Sequence, residues 1–478
     1  MKQVYTPLIT FLLFLNILAG QAQVLVSSEF ISNTPSALLS LVNNQFPIQY
    51  DVDFYKLVYN TVDTQGQPTL ASGAIAVPSS TCETLPLLAY CHGTVLRKQD
   101  IPSAENGESL IGKLFAGGGY VSIMPDYIGL GESSGLHPYV HAESQATATL
   151  DMIRAAREFL STELDINHNN QLFLTGYSQG GHAAMGTHKY IQDNSLYDEF
   201  NVVASAPCSG PYDLSGSQAP VLTSGQPYSN PGYVVYLIMG YQRAYGNLYN
   251  TLSDVLKSPY DVDMLTYFDG VQDQYDMGTV NNVLPNVLSD FMQDTTLSNF
   301  MSNPNHPLRV ALEDNDNFDW TPERPVRMMY CTGDEQVDFS NSISADSAMN
   351  ANGASDVDAI EVGGNTFNHG ACVTPALTET FNFFEPKTTF CGFVQSTENA
   401  SGGFEFSVYP NPTENNLSVA FPITEGTVDV LNLQGQVMQS QSVNTTVHEF
   451  ELDQFSAGIY FVRWNHASGT NIQKIIKK

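Results

Sequence analysis

The chain has 478 residues, which is more than a single globular domain usually contains, so we expect one large domain and a smaller companion. Its 18 Lys and Arg residues are outnumbered by 49 Asp and Glu residues, and the formal net charge is −31. So acidic a surface repels phosphate backbones and anionic lipid headgroups, which argues against nucleic acid as a partner. The acidic residues are spread along the chain, which favours a soluble surface over an acidic binding site.

The N-terminus has the pattern of an export signal. Lys2 is followed by an apolar run over residues 8–18 and then by small residues up to Ala22. The run is shorter than the roughly 20 apolar residues that a membrane-spanning helix needs, and no later segment qualifies. We therefore predict that residues 1–22 are a signal peptide and that no transmembrane segment remains after its removal.

The six cysteines stand at positions 82, 91, 208, 331, 372 and 391. In an exported protein they can form disulfide bonds, and we predict one between Cys372 and Cys391. Cys91 and Cys331 each end an apolar run and are equally consistent with buried thiols. The Cys-x-x-Cys spacing of a metal site is absent from the sequence, so the cysteines are not predicted to bind a metal.

From about residue 50 to 210, short apolar runs alternate with segments of helical period. This pattern is typical of a mostly parallel sheet with helices on both faces. The clearest predicted strands are residues 85–91, 120–124 and 171–175. A helix is predicted over residues 143–164, where apolar residues recur along one face. We therefore expect an α/β fold.

Residues 210–320 interrupt this alternation, because they are rich in Tyr, Met, Asn and Leu and contain helical stretches without a convincing strand. We predict that they form an inserted helical cap. Strands resume at residues 326–331 and 359–362, and a helix near residues 376–384 closes the large domain. The domain is predicted to span residues 23–395.

A polar linker is predicted at residues 396–403. Residues 404–478 alternate apolar and polar positions between turn signals, as in a small antiparallel β-sandwich. Within them, residues 406–412, 428–435 and 457–462 and a lysine-ended C-terminus resemble the type IX secretion sorting domain of Bacteroidetes. The resemblance implies export through the type IX secretion machinery, so we expect a secreted or cell-surface protein.

One segment has the form of a nucleophile elbow. Gly176-Tyr177-Ser178-Gln179-Gly180 follows directly on a predicted strand and precedes a helical stretch of small residues. In a G-x-S-x-G elbow, a sharp turn from strand to helix exposes the serine hydroxyl, and the flanking glycines have no Cβ to collide with neighbouring backbone. We predict that Ser178 is a catalytic nucleophile.

A serine nucleophile needs a histidine to take its proton and a carboxylate to orient that histidine, in the chain order Ser, acid, His. Of the histidines that follow the predicted strand at residues 359–362, only His369 lies within the large domain. It stands in a loop directly after that strand. Asp334 follows the preceding strand by a short turn, at the sheet edge where catalytic groups collect. Glu335 and Asp338 are close rivals for the acid and are otherwise expected to be solvated loop charges.

Acyl transfer also needs hydrogen-bond donors for the oxyanion of the tetrahedral intermediate. The backbone N–H of Gln179, directly after the nucleophile, is the first candidate, and that of Thr94, in the loop after an earlier strand, is the second. Gly93 and Tyr177 adjoin these groups and are predicted to contact the substrate. His92 precedes the nucleophile in the chain, so we expect it to brace the loop rather than act as a base.

Together with the elbow, further motifs resemble the secretory lipase family of α/β-hydrolases. They are His92-Gly93-Thr94, Gly119-Tyr120-Val121, Pro125-Asp126-Tyr127-Ile128-Gly129-Leu130-Gly131, His137-Pro138-Tyr139, Trp320-Thr321-Pro322, Pro325-Val326 and Gly333-Asp334-Glu335-Gln336-Val337. The resemblance covers about residues 50–375 outside the cap. It implies an α/β-hydrolase fold and carboxylic-ester hydrolysis, with Ser178, Asp334 and His369 matching the family's triad and with no cofactor.

Two departures limit what the resemblance implies. Asp338 stands where such proteins often have proline, and the cap has no motif that matches, so the identity of the ester substrate does not carry over. Two alternatives also stay open: a secreted serine peptidase of the same fold, and a catalytically inactive surface binding protein.

Overall fold

The computed structural model describes residues 23–43, 45–80, 84–271, 273–390, 406–421, 426–432, 435–466 and 469–478. The predicted signal peptide and the predicted linker at 396–403 lie outside the described residues. In the described ranges, no helix is both long and apolar enough to cross a membrane.

In the described part of the chain, the large domain is built on one nine-stranded sheet. Its strands are β1 (Leu25–Thr34), β2 (Val52–Val62), β3 (Pro68–Pro78), β4 (Thr84–Cys91), β5 (Val121–Pro125), β6 (Asn167–Tyr177), β7 (Val202–Cys208), β8 (Val326–Tyr330) and β9 (Val357–Glu361). They lie in the order β1-β2-β3-β5-β4-β6-β7-β8-β9. Neighbouring strands in the part of this order from β5 to β9 are parallel to each other. Neighbouring strands in the part from β1 to β5 are antiparallel. The mostly parallel sheet and its five predicted strands are confirmed.

The large domain has helices on both faces of this sheet and in the segment between β7 and β8. They are α1 (Ser36–Val42), α2 (Gly107–Gly117), α3 (Ala142–Glu163), α4 (Gln179–Asp193), α5 (Ala219–Thr223), α6 (Pro231–Tyr245), α7 (Tyr260–Tyr267), α8 (Met277–Val283), α9 (Leu288–Phe291), α10 (Asp294–Ser302), α11 (Pro307–Asp314), α12 (Ser340–Ala351) and α13 (His369–Phe384). Helices α3, α4 and α12 pack on one face, and α1, α2 and α13 on the other. The predicted helix over 143–164 is confirmed as α3.

Strand β4 shows why the central strands are apolar throughout. Leu87 and Ala89 belong to the core under α3, whereas Leu88 and Tyr90 point into the opposite core under α2 and α13. Because both faces of a central parallel strand are buried, both sets of side chains must be apolar. Strand β1 differs, since most of its side chains are partly or fully exposed, and its polar sequence gave no strand signal.

Helices α5–α11 lie between β7 and β8, in the segment predicted to be a helical cap. They enclose a hydrophobic core of their own, to which Leu96, Tyr139 and Val140 of the sheet domain also contribute. The cap begins with a π-helical turn, Leu214–Gln218. This arrangement places cap side chains directly over the loops that follow β4, β6 and β8.

The C-terminal module is all β and antiparallel, as predicted. Its described strands are β10 (Ser407–Tyr409), β11 (Asn416–Ala420), β12 (Gly426–Leu431), β13 (Val437–Val443), β14 (Val447–Glu451), β15 (Gly458–His466) and β16 (Gly469–Lys477). Within the described residues they form two sheets, in the orders β10-β11-β14 and β13-β12-β15-β16. Phe406, Phe450 and Trp464 lie in the core of this module.

The disulfide prediction is wrong, because the structure bonds Cys372 to Cys331 and not to Cys391. Cys331 directly follows β8, and Cys372 lies in the first turn of α13, which packs against β8. Their Cα atoms are 6.0 Å apart although 41 residues separate them in sequence. The pairing depends on this helix–strand contact, which the spacing of the cysteines does not reveal. Cys91 is a buried free thiol, and burial raises its pKa to about 12.

Candidate active site

Ser178 occupies the turn between β6 and α4. Its backbone has φ 60° and ψ −122°, a sparsely populated conformation that is typical of strained functional positions. Its N–H donates to the carbonyl of Cys208, at the end of the neighbouring β7. A Cβ atom at Gly176 would lie 2.3 Å from the Gly180 carbonyl oxygen, and one at Gly180 would lie 1.9 Å from that of Cys91. Both glycines are therefore required for the turn to fit against β4.

Asp334 and His369 are brought together at the same edge of the sheet. His369 Nδ1 lies 2.6 Å from Asp334 Oδ2, and the side chains are 9% and 1% exposed, respectively. The other carboxylate oxygen of Asp334 accepts the backbone N–H groups of Gln336 and Val337, both at 2.9 Å. A nearly buried carboxylate held in this way orients the imidazole without itself moving.

His369 is the first residue of α13 and not a loop residue, which corrects the sequence prediction. The helix begins earlier than the predicted 376, because Asn368 caps it by accepting the N–H of Ala371. Pro375 lies inside the helix and lacks a backbone N–H, so it obscured the first turns of α13 in the sequence. The N-cap asparagine was the signal that marked the true start.

Two further loop carboxylates have partners. Glu335 Oε2 accepts the backbone N–H of His369 at 3.0 Å, and Asp338 Oδ1 accepts that of Ser340, at the start of α12, at 2.9 Å. Although burial raises the pKa of Glu335, hydrogen bonds led by that from the His369 N–H leave it below its ordinary value. Glu335 is exposed to solvent, as predicted for a loop charge, whereas Asp338 is partly buried. Sequence reasoning missed the contact between Glu335 and His369.

Tyr177, the last residue of β6, contacts His369 from the other side. Its buried hydroxyl donates to the backbone carbonyl of His369 at 2.7 Å, and the two rings lie 5.0 Å apart. Burial raises the pKa of Tyr177, so the phenol stays a neutral donor. Within the described residues, Ser178 Oγ has no hydrogen bond of ordinary length to the His369 imidazole, and such bonds are often long before substrate binds. The substrate contact assigned to Tyr177 stays a prediction.

The loop after β4 lies against the elbow. A Cβ atom at Gly93 would lie 3.6 Å from the carbonyl oxygen of Tyr177, so this loop passes directly beside the residue before Ser178. The Thr94 hydroxyl is hydrogen-bonded to that of Tyr139 at 2.8 Å. His92 is fully buried, and its two ring nitrogens contact the carbonyls of Gly93 and Asp126, so it braces the loop as predicted.

The side chain of Gln179 is fixed by His137. Burial lowers the pKa of His137 to about 3, so the ring is neutral, and its Nδ1–H donates to the carbonyl of Ile128 at 2.7 Å. Its Nε2 is therefore the acceptor for the Gln179 amide at 2.6 Å. This bond immobilises the residue whose backbone N–H is the predicted oxyanion donor.

A cavity extends from Ser178 and Gln179 into the cap. Its walls come mainly from apolar side chains of α5, α6, α9, α10 and α11, and among the described residues no charged side chain lines it. The site therefore combines a strained serine, an acid–base pair and an apolar cavity.

A family model described as secretory lipase matches residues 104–379, which is more than half of the chain. The chain belongs to the secretory lipase family. A second model, described as a secretion system C-terminal sorting domain, matches residues 407–478. This member of the family is thus a hydrolase of the lipase and esterase type that acts on esters, and it is secreted or displayed at the cell surface.

Solved structures give the same fold. The rice cell wall degrading esterase LipA from Xanthomonas oryzae is 29% identical with a TM-score of 0.69, over 77% of this chain and 100% of that protein. A hydrolase from Legionella pneumophila is 24% identical with a TM-score of 0.69, over 76% and 98%. Candida antarctica lipase A, at 16% identity and a TM-score of 0.57, over 77% and 83%, is similar in fold. The comparison with curated proteins gave no match.

Proposed function

We propose that this protein is a serine ester hydrolase whose catalytic triad is Ser178, His369 and Asp334. The observation that carries the proposal is the 2.6 Å contact between His369 Nδ1 and Asp334 at the sheet edge that also presents the strained Ser178 turn. In this arrangement Asp334 fixes the imidazole tautomer, so that Nε2 is free to accept a proton from the serine hydroxyl.

The reaction proceeds in two steps. Ser178 Oγ attacks the ester carbonyl carbon while its proton passes to His369, and collapse of the tetrahedral intermediate breaks the bond to the alcohol oxygen, which takes that proton. Water then hydrolyses the acyl-enzyme with His369 as base. The backbone N–H groups of Thr94 and Gln179 stabilise the oxyanion in both steps. No metal or organic cofactor takes part.

The cavity under the cap is proposed to hold the acyl chain. Helix α6 contributes to both regions, since Val235, Tyr236 and Met239 pack in the cap core, and Tyr233 and Leu237, which pack against that core, also line the cavity. Each methylene removed from water contributes about 0.8 kcal/mol, so an apolar acyl site raises kcat/KM severalfold per two carbons until it is filled. The uncharged lining also favours an apolar acyl group over the charged amine of a peptide substrate.

Export forms the second part of the proposal. Residues 1–22 act as a signal peptide to the periplasm, and the C-terminal module then engages the type IX secretion machinery. The boundaries 23–395, 396–403 and 404–478 stay predictions for the ends of the catalytic domain, linker and module.

The test uses nitrophenyl esters from acetate to palmitate and an organophosphonate inhibitor. Ser178→Ala is expected to abolish turnover with the fold intact, because only one oxygen is lost, and the phosphonate is expected to label Ser178 alone. Wild-type turnover in the alanine variant would contradict the elbow assignment. We expect an optimum at chains longer than acetate, and a steady fall from acetate onward would indicate a small-acyl esterase. Absence of any turnover would favour an inactive binding protein.

A further inference from the structure

A second cavity lies behind the first. It shares four lining residues with the cavity that starts at Ser178. The shared residues are Ala219, Thr223, Phe300 and Leu312. Because the same side chains line both spaces, a single layer of side chains separates them.

We call the four shared residues the partition, and Phe300 is the largest of them. It projects from α10, is 8% exposed, and has the Arg309 guanidinium 5.8 Å above its ring. The other three members are smaller, so Phe300 fills most of the partition. A change in its position or size therefore alters whether the two spaces connect.

The outer cavity opens towards solvent and is more polar than the inner one. Met301, which lines it, is 51% exposed, and the half-buried Arg309 lines it as well. Within the described residues, no carboxylate lies within ion-pair distance of the Arg309 guanidinium, and Glu313, one turn along α11, is exposed to solvent. The outer cavity thus leads from the shared side chains to the surface of the cap.

We infer that the outer cavity receives the distal end of acyl chains that are too long for the inner cavity, and that Phe300 is the specificity-determining residue at the partition. The inference rests on the proposed ester hydrolysis at Ser178 and identifies the substrate class as esters of long linear acyl chains. A long chain passes the Phe300 side chain and continues between Thr223 and Met301. Each methylene that leaves water on this path raises kcat/KM by at most about fourfold.

The experiment measures kcat/KM for nitrophenyl butyrate, octanoate, laurate and palmitate with the full chain. Phe300→Ala removes most of the partition, and we expect it to raise the palmitate-to-butyrate ratio of kcat/KM at least severalfold. Phe291→Ala is the matched control, because Phe291 is another buried cap phenylalanine but lines neither cavity. It is expected to leave that ratio unchanged. A folded Phe300→Ala variant with the wild-type ratio overturns the inference.

A second variant decides the matter if Phe300→Ala does not fold. Met301→Trp fills the outer cavity from an exposed position, and we expect it to lower kcat/KM for palmitate severalfold while butyrate is unaffected. Unchanged palmitate turnover in this variant overturns the inference. Failure of the proposed function is distinguishable, because butyrate turnover would then survive Ser178→Ala, whereas failure of the inference leaves butyrate turnover dependent on Ser178.

Discussion

The hydroxyl of Tyr177 donates a 2.7 Å hydrogen bond to the backbone carbonyl of His369. It thereby connects the last residue of β6, next to the nucleophile, with the first residue of α13, which carries the base. On its N–H side, His369 is held by Glu335. The main chain of the base is therefore fixed from two directions, independently of the contact between its ring and Asp334.

Tyr177→Phe is expected to lower kcat about fivefold with little change in KM. Phenylalanine keeps the ring, and only the neutral hydrogen bond that positions the base, worth about 1 kcal/mol, is lost. Steady-state kinetics on an ester of medium chain length measure both constants. Tyr120→Phe is the control, since it also removes a buried hydroxyl that is hydrogen-bonded, to Thr388, at a position remote from Ser178. Equal kcat values in the two variants would contradict the positioning role.

The nucleophile elbow was predictable because its strand, turn and helix are contiguous in sequence, and only glycine fits at Gly176 and Gly180. Asp334 was predictable in the same local way, from a strand end and a short turn. The contacts of Glu335 and Tyr177 with His369 were not predictable, since they depend on where α13 docks. The same docking determines the partner of Cys372.

The choice of the catalytic acid is tested by comparing Asp334→Asn with Asp338→Asn. Asparagine at 334 cannot stabilise the imidazolium and favours the wrong tautomer, so we expect a fall in kcat of about three to four orders of magnitude. Asp338 only caps the start of α12, through the Ser340 N–H, so Asp338→Asn should stay within a fewfold of wild type. The reverse ranking would assign the acid to Asp338.

Removal of the Cys331–Cys372 disulfide is expected to lower the free energy of unfolding by about 4 kcal/mol, because the bond closes a loop of 41 residues in the unfolded chain. Activity should fall as well, since the bond joins the strand that leads to Asp334 with the helix that begins at His369. Urea unfolding of Cys331→Ala, Cys372→Ala and the double variant provides the measurement. Both single variants break the same bond, so all three should be equally destabilised, and additive losses would contradict this account.

Asp316 gives a pH-dependent contribution to stability. Burial, and to a lesser extent the charge of Asp213, raises the pKa of Asp316 to about 6, although Ser215 donates two hydrogen bonds to this carboxylate. In the unfolded chain the pKa of an Asp is about 3.9. Between these values the folded chain binds the proton and the unfolded chain does not, so stability falls as the pH rises from about 4 to about 6. Above about pH 6, the folded protein bears the full free-energy cost of burying the charged Asp316 carboxylate.

Asp316→Asn is therefore expected to remove that fall and to stabilise the protein above pH 6 by an amount on the order of 2 kcal/mol, because the amide retains a partner for each Ser215 group. The free energy of unfolding is measured against pH for both proteins. Asp319→Asn, a change at an exposed carboxylate nearby, is the control and should leave the profile unchanged. If the difference between wild type and Asp316→Asn is the same at pH 4 and pH 8, burial of the charge is not its cause.

Catalysis and export are expected to depend on different parts of the chain. Among the described residues, none of the C-terminal module lies in the hydrophobic cores of the sheet domain or the cap. The module contacts the sheet domain through a small cluster in which Leu38 packs against Leu431 and Phe461. A protein ending at Gln395 should therefore fold and hydrolyse esters with wild-type kcat/KM in vitro, yet fail to reach the medium from its native host. Full-length Ser178→Ala is the matched control, since it keeps the module and should be exported although it is inactive. A folded truncated protein without ester activity would show that the module contributes to the site. Appearance of the truncated protein in the medium would show that export does not require the module.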